Sequence, residues 1–150
     1  MPLHPDTTLT LRIFSDELVP AEVTALVGCQ PSDSHAKGDR NLGSKGREYA
    51  PRRIGMWRLF APQASGDFEE RALQLLQLLP FPSSEWDSVR SRHSIDLTIG
   101  LFMESSNEDL NFSSALVNAL AERGIAINLD IYAPDDLEHT GRPDNQIPVW

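Results

Sequence analysis

Cysteine is almost absent from this chain of 150 residues, in which Cys29 is the only example. A single thiol excludes both an internal disulfide framework and a metal site built from several thiolates. Long apolar runs are also absent, and no stretch approaches the roughly 20 apolar residues that a membrane helix needs. The first ten residues have neither a basic region nor an apolar core, so no signal peptide is visible. We therefore expect a cytoplasmic protein without a membrane span.

Positive charge is scarce, since 13 Lys and Arg face 22 Asp and Glu, and the formal net charge is −9. An acidic surface repels phosphate backbones, which excludes general nucleic-acid binding. Hydrophobic residues at 40% and charged residues at 23% are typical of a globular chain rather than a disordered one. The length suits one domain. We predict a single domain over residues 1–132, followed by an acidic, proline-containing tail over residues 133–150.

Motifs of catalysis and metal binding are missing as well. The sequence has no Gly-x-Ser-x-Gly elbow and no evident pair of nucleophile and base. Its four histidines lack i, i+4 pairing and have no cysteine or carboxylate at the spacing of metal ligands. The run from Gly38 to Lys45 resembles a phosphate loop only superficially, because no apolar strand precedes it and no helix follows it. We predict no catalytic residue, no metal and no cofactor, which leaves enzymatic activity uncertain and favours a non-enzymatic role.

Four segments of the chain alternate between apolar and polar residues. A period of two is typical of strands that have one buried face. The predicted buried residues are Leu9, Leu11 and Ile13, then Trp57, Leu59 and Ala61, then Ile95, Leu97, Ile99, Leu101 and Met103, and finally Ile125, Ile127, Leu129 and Ile131. Because none of these segments is apolar throughout, we expect a largely antiparallel sheet with one covered face and one open face.

Apolar residues at helical spacing lie between these strands. Pro20 opens a short helix, and the segment 65–67 caps a longer one. Residues 83–84 cap a third helix. A fourth is predicted to begin after Ser105-Ser106-Asn107 and to end before Gly124. Helices packed on one face of such a sheet give an α+β fold, either ferredoxin-like or a duplicated β-α-β sandwich.

Residues 30–53, which we call the basic loop, have no apolar periodicity and are rich in Ser, Gly, Asp, Asn and Pro. This composition predicts a long irregular loop. Seven of the 13 basic residues lie within residues 37–58 against two acidic ones, so this stretch carries +5 while the remainder carries −14. The positive patch either binds an anion or balances the protein's own acidic surface through weak ion pairs, and runs of charge are more often solvated.

Polar residues of several strands are predicted to share the open face of the sheet. Arg12 opposite Asp96 or Asp130 would form a cross-strand ion pair, which is a purely structural interpretation. The functional alternative makes this face a binding surface with the basic loop as its rim, where Phe60 and Phe102 would add apolar contact area. The candidate ligand-binding residues are Arg12, Arg58, Asp96, Asp130 and Tyr132 on the open face and Lys37, Asp39 and Arg40 in the basic loop.

Short motifs are spread along the chain: Leu11-Arg12-Ile13-Phe14, Lys37-Gly38-Asp39, Gly55-Met56-Trp57-Arg58-Leu59 and Leu129-Asp130-Ile131-Tyr132. In this order they resemble the DUF4279 family, whose function is unknown, over about Leu9 to Tyr132. The most specific part is the Lys-Gly-Asp loop followed by a Gly-x-Trp strand and an Asp-Ile-Tyr ending. The resemblance implies a common fold unit and bacterial relatives, but it transfers no catalytic residue. It marks as recurrent motif positions Lys37, Gly38, Asp39, Trp57 and Asp130.

Two functions remain open. The first is a non-enzymatic binding or interaction module, such as an immunity- or inhibitor-type partner of a basic effector protein, because an acidic surface steers a basic partner. The second is a site for a small anionic ligand, with or without catalysis, under the basic loop. There Lys37, Arg40 and Arg58 would position the anion, and Asp39 or Asp130 would act as base. A pocket beneath the loop would favour the second function.

Overall fold

The computed structural model describes residues 7–61 and 67–134. In chain order its elements are β1 (Thr8–Ser15), α1 (Pro20–Val27), β2 (Asp33–His35), β3 (Asn41–Leu42), β4 (Glu48–Tyr49), β5 (Gly55–Phe60), α2 (Phe68–Gln77), α3 (Ser84–Arg92), β6 (Ser94–Phe102), α4 (Ser114–Glu122) and β7 (Ala126–Tyr132). The acidic tail predicted over residues 133–150 lies outside the described residues, apart from Ala133 and Pro134. No helix within the described ranges has the length and apolar character needed to cross a membrane.

Five strands form one sheet in the order β2-β5-β1-β6-β7. Neighbouring strands are antiparallel except β6 and β7, which are parallel and joined through α4. The predicted α+β class and largely antiparallel sheet are therefore confirmed. The topology is not two copies of one β-α-β unit, because β6 and β7 are parallel neighbours while β1 and β5 are antiparallel neighbours.

The alternation predicted for the central strands decides which face of the sheet the helices cover. Leu11 of β1 lies opposite Leu59 of β5 on one side and Leu97 of β6 on the other, and all three are buried. Trp57 is buried beside them, and its indole Nε1–H donates a hydrogen bond to Thr24 Oγ1 of α1 at 3.0 Å. Each such apolar side chain contributes about 1.5–3 kcal/mol when it leaves water. Residues of opposite parity are left on the open face.

The helix boundaries follow local signals that the sequence shows directly. Pro20 occupies the first turn of α1, where its missing N–H costs no hydrogen bond. Gly28 ends α1 with a φ of +84°, and its N–H donates to the carbonyl of Thr24 at 2.9 Å. The side chains of Asp67 and Ser83 cap α2 and α3 by accepting hydrogen bonds from first-turn N–H groups. These predicted starts are confirmed.

The start predicted for the fourth helix at residues 105–107 is wrong, because α4 begins directly after Ser113. The Ser113 side chain accepts a hydrogen bond from the N–H of Leu116 at 3.1 Å and so caps the helix. The later start leaves Phe112 outside the helix, where its ring packs edge-on against Phe68 of α2 at a centroid distance of 5.6 Å. The contact of Phe112 with α2 accompanies this later start.

The strand β2 forms where the sequence pattern predicts only loop, since Asp33–His35 contains no apolar residue. It pairs with β5, so that Asp33 lies opposite Arg58. Ser32 adds two bonds to the same strand: its N–H donates to the carbonyl of Arg58 at 2.8 Å, and its Oγ accepts from the N–H of Phe60 at 2.9 Å. The sheet therefore continues into the basic loop, and Asp33 and His35 join the open face.

The rest of the basic loop folds into a small two-stranded ribbon in which Asn41 of β3 lies opposite Tyr49 of β4. At its base the N–H of Gly38 donates to the carbonyl of Arg52 at 2.8 Å, and the N–H of Arg52 donates to the carbonyl of Asp39 at 3.0 Å. We call these two hydrogen bonds the loop clamp. Because the clamp ties the two arms of the loop together, the chain on either side of the ribbon has a defined position.

The strand β7 lies at the opposite edge of the sheet. Ile127, Leu129 and Ile131 share the helix-covered side with Ile125, as predicted, but they are 36%, 41% and 55% exposed. The prediction that these three residues are buried is wrong. The reason is positional, because β7 is the last strand and α1 and α2 pack against the inner strands β5 and β1. Only Ile125, which precedes the strand, is buried.

Candidate functional site

A row of four charged side chains crosses the open face, one from each of four neighbouring strands. In the order β2, β5, β1, β6 they are Asp33, Arg58, Arg12 and Asp96, which the strand registers place directly opposite one another. We call this set the charged row. Its signs run negative, positive, positive, negative, so two guanidinium groups are neighbours in the middle and each pairs with an aspartate on its outer side. Like charges directly opposite are unfavourable, and the flanking carboxylates offset this.

Arg12 and Asp96 form the inner half of the charged row. Arg12 Nε donates to Asp96 Oδ1 at 2.8 Å, and Nη2 donates to Oδ2. Thr98 Oγ1 also donates to Asp96 Oδ1 at 2.9 Å. The hydrogen bonds to Asp96 raise the pKa of Arg12 above its ordinary value, although burial opposes them. The predicted cross-strand ion pair is confirmed, and it occupies both oxygens of Asp96.

Arg58 and Asp33 form the outer half of the charged row with the same bidentate geometry. Arg58 Nε donates to Asp33 Oδ1 at 2.6 Å, and Nη2 donates to Oδ2. Both side chains are more exposed than those of the inner pair, at 37% and 42% against 27% for Arg12 and 10% for Asp96. The guanidinium of Arg58 also lies over the ring of Phe60 at 5.4 Å. Arg58 is therefore held in place but remains accessible to solvent.

Asp130 and Tyr132 lie on the same open face beside the charged row, and the charge of Asp130 helps to raise the pKa of Arg12. The Tyr132 hydroxyl donates to Asp130 Oδ2 at 2.7 Å, and this hydrogen bond raises the pKa of Tyr132. The ring of Tyr132 stacks on Phe102 of β6 with 4.6 Å between centroids. Asp130 lies opposite Gly100 in the register, whereas Arg12 lies opposite Asp96. These predicted site residues are thus on the expected face, and their role in binding stays a prediction.

The three candidate residues of the basic loop already have partners within the protein, and for Arg40 and Asp39 these partners lie in the loop itself. Lys37 Nζ lies 3.4 Å from Asp16 Oδ2, and Arg40 Nε lies 3.2 Å from Glu48 Oε1. Asp39 Oδ2 accepts a hydrogen bond from the N–H of Ala36 at 2.8 Å, which stabilises the turn before the ribbon. Because these contacts are exposed, each is worth little energy. Their role in ligand binding also stays a prediction.

A cavity of about 490 Å³ lies between the basic loop and the edge of the sheet. Ile54 and Met56 supply apolar surface, and the described lining contains no Asp or Glu. Its polar lining residues are His35, Asn41, Tyr49, Arg52, Arg53 and Arg58. Arg58 is the one predicted site residue among them. The volume falls in the range of small-molecule sites.

Two consecutive arginines give this cavity its positive character. Arg52 belongs to the loop clamp through its backbone, and its Nε is buried without a hydrogen-bond acceptor among the described residues. Arg53 is exposed, and neither guanidinium forms an ion pair with a carboxylate in residues 7–61 or 67–134. Guanidinium groups match carboxylate and phosphate with two parallel hydrogen bonds. In the sequence, Arg52 and Arg53 are marked only by their place in the basic stretch. Their spacing does not show that they line a cavity while Lys37 and Arg40 do not.

His35 is the titratable group of the cavity that can change charge near neutral pH. Burial lowers the pKa of His35, and the positive charge of Arg52 lowers it further. Protonation of His35 is therefore unfavourable while the cavity contains the arginine charges and no bound anion. A bound anion would reverse this effect.

The reactive side chains of Cys29, Ser15 and His93 do not line the cavity. Cys29 packs partly against the core, and burial raises the pKa of its thiol, which keeps it protonated. Ser15 Oγ and His93 Nδ1 lie 2.7 Å apart at the ends of β1 and α3, and burial lowers the pKa of His93. The sequence spacing did not reveal this contact between a serine and a histidine, and neither residue lines the cavity. Within residues 7–61 and 67–134 no three His, Cys, Asp or Glu side chains are grouped as metal ligands would be.

Comparison with known proteins agrees with the sequence motifs. Neither the curated proteins nor the solved structures contain a match to the chain. A family model described as a domain of unknown function, DUF4279, matches residues 5–134, which is most of the chain and includes every strand and helix of the described residues. The resemblance predicted from the motifs is confirmed, and the chain belongs to the DUF4279 family.

Proposed function

We propose that this domain is a cytoplasmic, non-enzymatic binding module, and that the cavity beside the basic loop takes a small anionic ligand bearing a carboxylate or phosphate group. The observation that carries the proposal is the pairing of Arg52 and Arg53 in a cavity whose described lining has no carboxylate. In a protein of net charge −9, a concave positive site attracts anions against the sign of the surrounding surface.

The guanidinium of Arg52 supports this choice of ligand. Its Nε has no acceptor among the described residues and almost no exposed surface, so an oxyanion would bind the other N–H groups of the guanidinium and stabilise its positive charge. The loop clamp fixes the backbone of Arg52 before the ligand arrives, which reduces the entropy lost on binding.

The composition of the cavity supports binding rather than catalysis. Its described lining contains no Ser, Thr, Cys, Asp or Glu side chain, the residue types that supply most nucleophiles and carboxylate bases. The nearby carboxylate of Asp33 already accepts two hydrogen bonds from Arg58. His35 is the one general base of the described lining, and no Ser, Thr or Cys nucleophile lies beside it there, so the cavity can hold an anion but lacks a complete pair of nucleophile and base.

The test is calorimetry and thermal denaturation of the purified chain with inorganic phosphate, citrate and a panel of nucleotides and organic acids. A ligand of the folded state raises the melting temperature by mass action. Arg53→Ala removes an exposed cationic group of the cavity, and we expect it to weaken binding by roughly tenfold or more. Lys37→Ala is the matched control, since it removes the same charge from the same loop outside the cavity lining.

Three results separate the possibilities. Loss of binding in Arg53→Ala and its retention in Lys37→Ala would support the cavity. Equal loss in both variants would contradict the cavity, because it would show that binding depends on the overall positive charge of the basic loop. The absence of binding for every anion would contradict the proposal.

A second candidate function is favoured by the aromatic residues of the open face. Phe60, Phe102 and Tyr132 are 46%, 38% and 46% exposed there, and aromatic residues are enriched in protein interfaces. In this proposal a basic effector protein binds the face, and the acidic surface accelerates its approach. Titration with a basic effector encoded beside this chain tests it: Phe60→Ala should weaken the complex, while Val19→Ala, exposed on another part of the molecule, should not.

A further inference from the structure

The outer edge of β7 is open to a partner. β7 ends the sheet order, so among the described residues no strand pairs with its outer side. All seven residues of the strand are exposed. Open edges of this kind present unpaired N–H and C=O groups, and proteins usually guard them with lysine, proline or a bulge. β7 (Ala126–Tyr132) contains none of these residues and has a single charge, Asp130.

The face of β7 that lies on the helix-covered side of the sheet adds apolar surface to this open edge. Ile127, Leu129 and Ile131 form a continuous exposed stripe along the strand. A smaller cavity of about 160 Å³ adjoins the far end of the stripe and is lined in part by Leu101, Leu129 and Ile131. The edge therefore combines backbone groups that can extend the sheet with side chains that gain from burial.

We propose that the occupant is a second copy of this chain, whose β7 pairs antiparallel with the first about a two-fold axis at Leu129. In that register Leu129 faces Leu129 of the second copy, and Ile127 faces Ile131. On the opposite side of the strand Asn128 faces Asp130, and Ala126 faces Tyr132. The two five-stranded sheets then join into one of ten strands.

The residue pattern of β7 favours this register over one centred on Asp130. Residues opposite each other in an antiparallel pair point to the same face, so this register keeps the helices of both copies on one side of the joined sheet. It places the amide of each Asn128 beside a carboxylate of Asp130, where the amide N–H can donate. A shift of the axis to Asp130 would instead place two carboxylates opposite each other, which is unfavourable. The strand is thus complementary to itself in charge as well as in apolar character.

The small cavity is consistent with the same arrangement. Ile127 of the second copy lies opposite Ile131, which lines the cavity, so its side chain would cover the opening. The interface is isologous, because each contact occurs twice by symmetry. It is also small, since it consists of one strand from each copy, and we expect a dissociation constant in the micromolar range. Two copies of net charge −9 repel each other, so added salt should strengthen the dimer.

The test is sedimentation velocity of the full chain from about 1 µM to about 300 µM at low and moderate salt. We expect a monomer–dimer equilibrium that salt shifts toward the dimer. Leu129→Lys places two ammonium groups opposite each other at the axis and should abolish the dimer. Leu78→Lys is the control, because Leu78 is also exposed but follows α2. A wild-type chain that stays monomeric over this range, or a dimer that survives Leu129→Lys unchanged, would overturn the proposal.

A charge exchange tests the register itself. Asn128→Asp sets a carboxylate against Asp130 twice per dimer and should weaken association by roughly tenfold. Asp130→Asn alone should have little effect, because amide then faces amide. The double variant Asn128→Asp, Asp130→Asn restores an amide opposite each carboxylate and should recover the wild-type affinity. If the double variant dimerises as weakly as Asn128→Asp, the proposed register is wrong.

Discussion

The two halves of the charged row use the same chemistry in different surroundings. Arg12 and Asp96 lie on the central strands β1 and β6, where both side chains are largely covered. Arg58 and Asp33 lie where the sheet meets the basic loop, and Arg58 lines the cavity. A shared geometry therefore does not imply a shared role: the inner pair compensates a charge that the fold has buried, while the outer pair keeps a guanidinium positioned but accessible.

The sharpest test of this difference is Asp96→Ala, which removes the acceptor from a covered arginine. Arg12 would then face Arg58 without its own counter-ion, and we expect the free energy of unfolding to fall by about 2–4 kcal/mol. Urea denaturation measures this change. Asp130→Ala is the control on the same face, and as an exposed substitution it should stay within about 0.5 kcal/mol of the wild type. Similar losses in both variants would contradict a special role for the inner pair.

The repulsion between the two central arginines predicts a coupling between their sites. In the Asp96→Ala background, Arg58→Met should restore about 1 kcal/mol of stability, because it removes the like charge opposite Arg12. In the wild-type background the same substitution should not stabilise the protein, since Asp33 would lose its partner. Equal effects in the two backgrounds, measured as a double-mutant cycle, would show that Arg58 and Asp96 are not coupled through Arg12.

The outer pair should matter less for stability and more for binding. Asp33→Ala should cost less than about 1 kcal/mol of unfolding free energy, because exposed ion pairs are weak. It also frees Arg58 beside the cavity, so under the proposed function anion affinity should rise. Denaturation and calorimetry on one preparation give both values. A loss as large as that of Asp96→Ala would remove the distinction between the two halves.

The smallest expected effect is the pH dependence contributed by His35 at the outer end of the row. Burial and Arg52 lower the pKa of His35 in the folded state, so the folded protein binds a proton there less readily than the unfolded chain. This contribution to stability is complete above the ordinary histidine pKa of about 6.5 and is lost as the pH falls through the lower, folded value. His35→Gln should flatten the stability profile in that window, and a bound anion should raise the His35 pKa measured by NMR. An unchanged profile would show that His35 does not sense the cavity.

Much of the fold was predictable because its signals are local. The alternation around Leu11, Trp57 and Leu97 is a property of each strand, and the proline and serine or aspartate signals at helix starts act within one turn. The failures occurred where distant contacts decide. Ser113 caps α4 while Phe112 packs on another helix. Ile131 is exposed because β7 is an edge strand, and nothing in its own segment of the sequence indicates this position.

The candidate site was only partly predictable for the same reason. The basic stretch was evident from composition, and the pairing of Arg12 with Asp96 followed from strand parity. The sequence did not predict which basic residues line the cavity, because this depends on the pairing of β2 with β5 and on the loop clamp. These long-range backbone bonds turn Arg52 toward the cavity lining and leave Lys37 outside it.

The loop clamp also divides the basic loop into a part that shapes the cavity and a part that is free to vary. Beyond β3 and β4 the ribbon ends in the turn Gly43–Gly46, where the N–H of Gly46 donates to the carbonyl of Gly43 at 3.0 Å. The clamp and the pairing of Asn41 with Tyr49 separate this turn from Arg52, so extra residues there need not disturb the cavity. Such tips are where folded domains accept inserted sequence. Residues 44–45 are accordingly the place to graft a fluorophore tag or a peptide epitope, and natural relatives would be expected to differ in length there first.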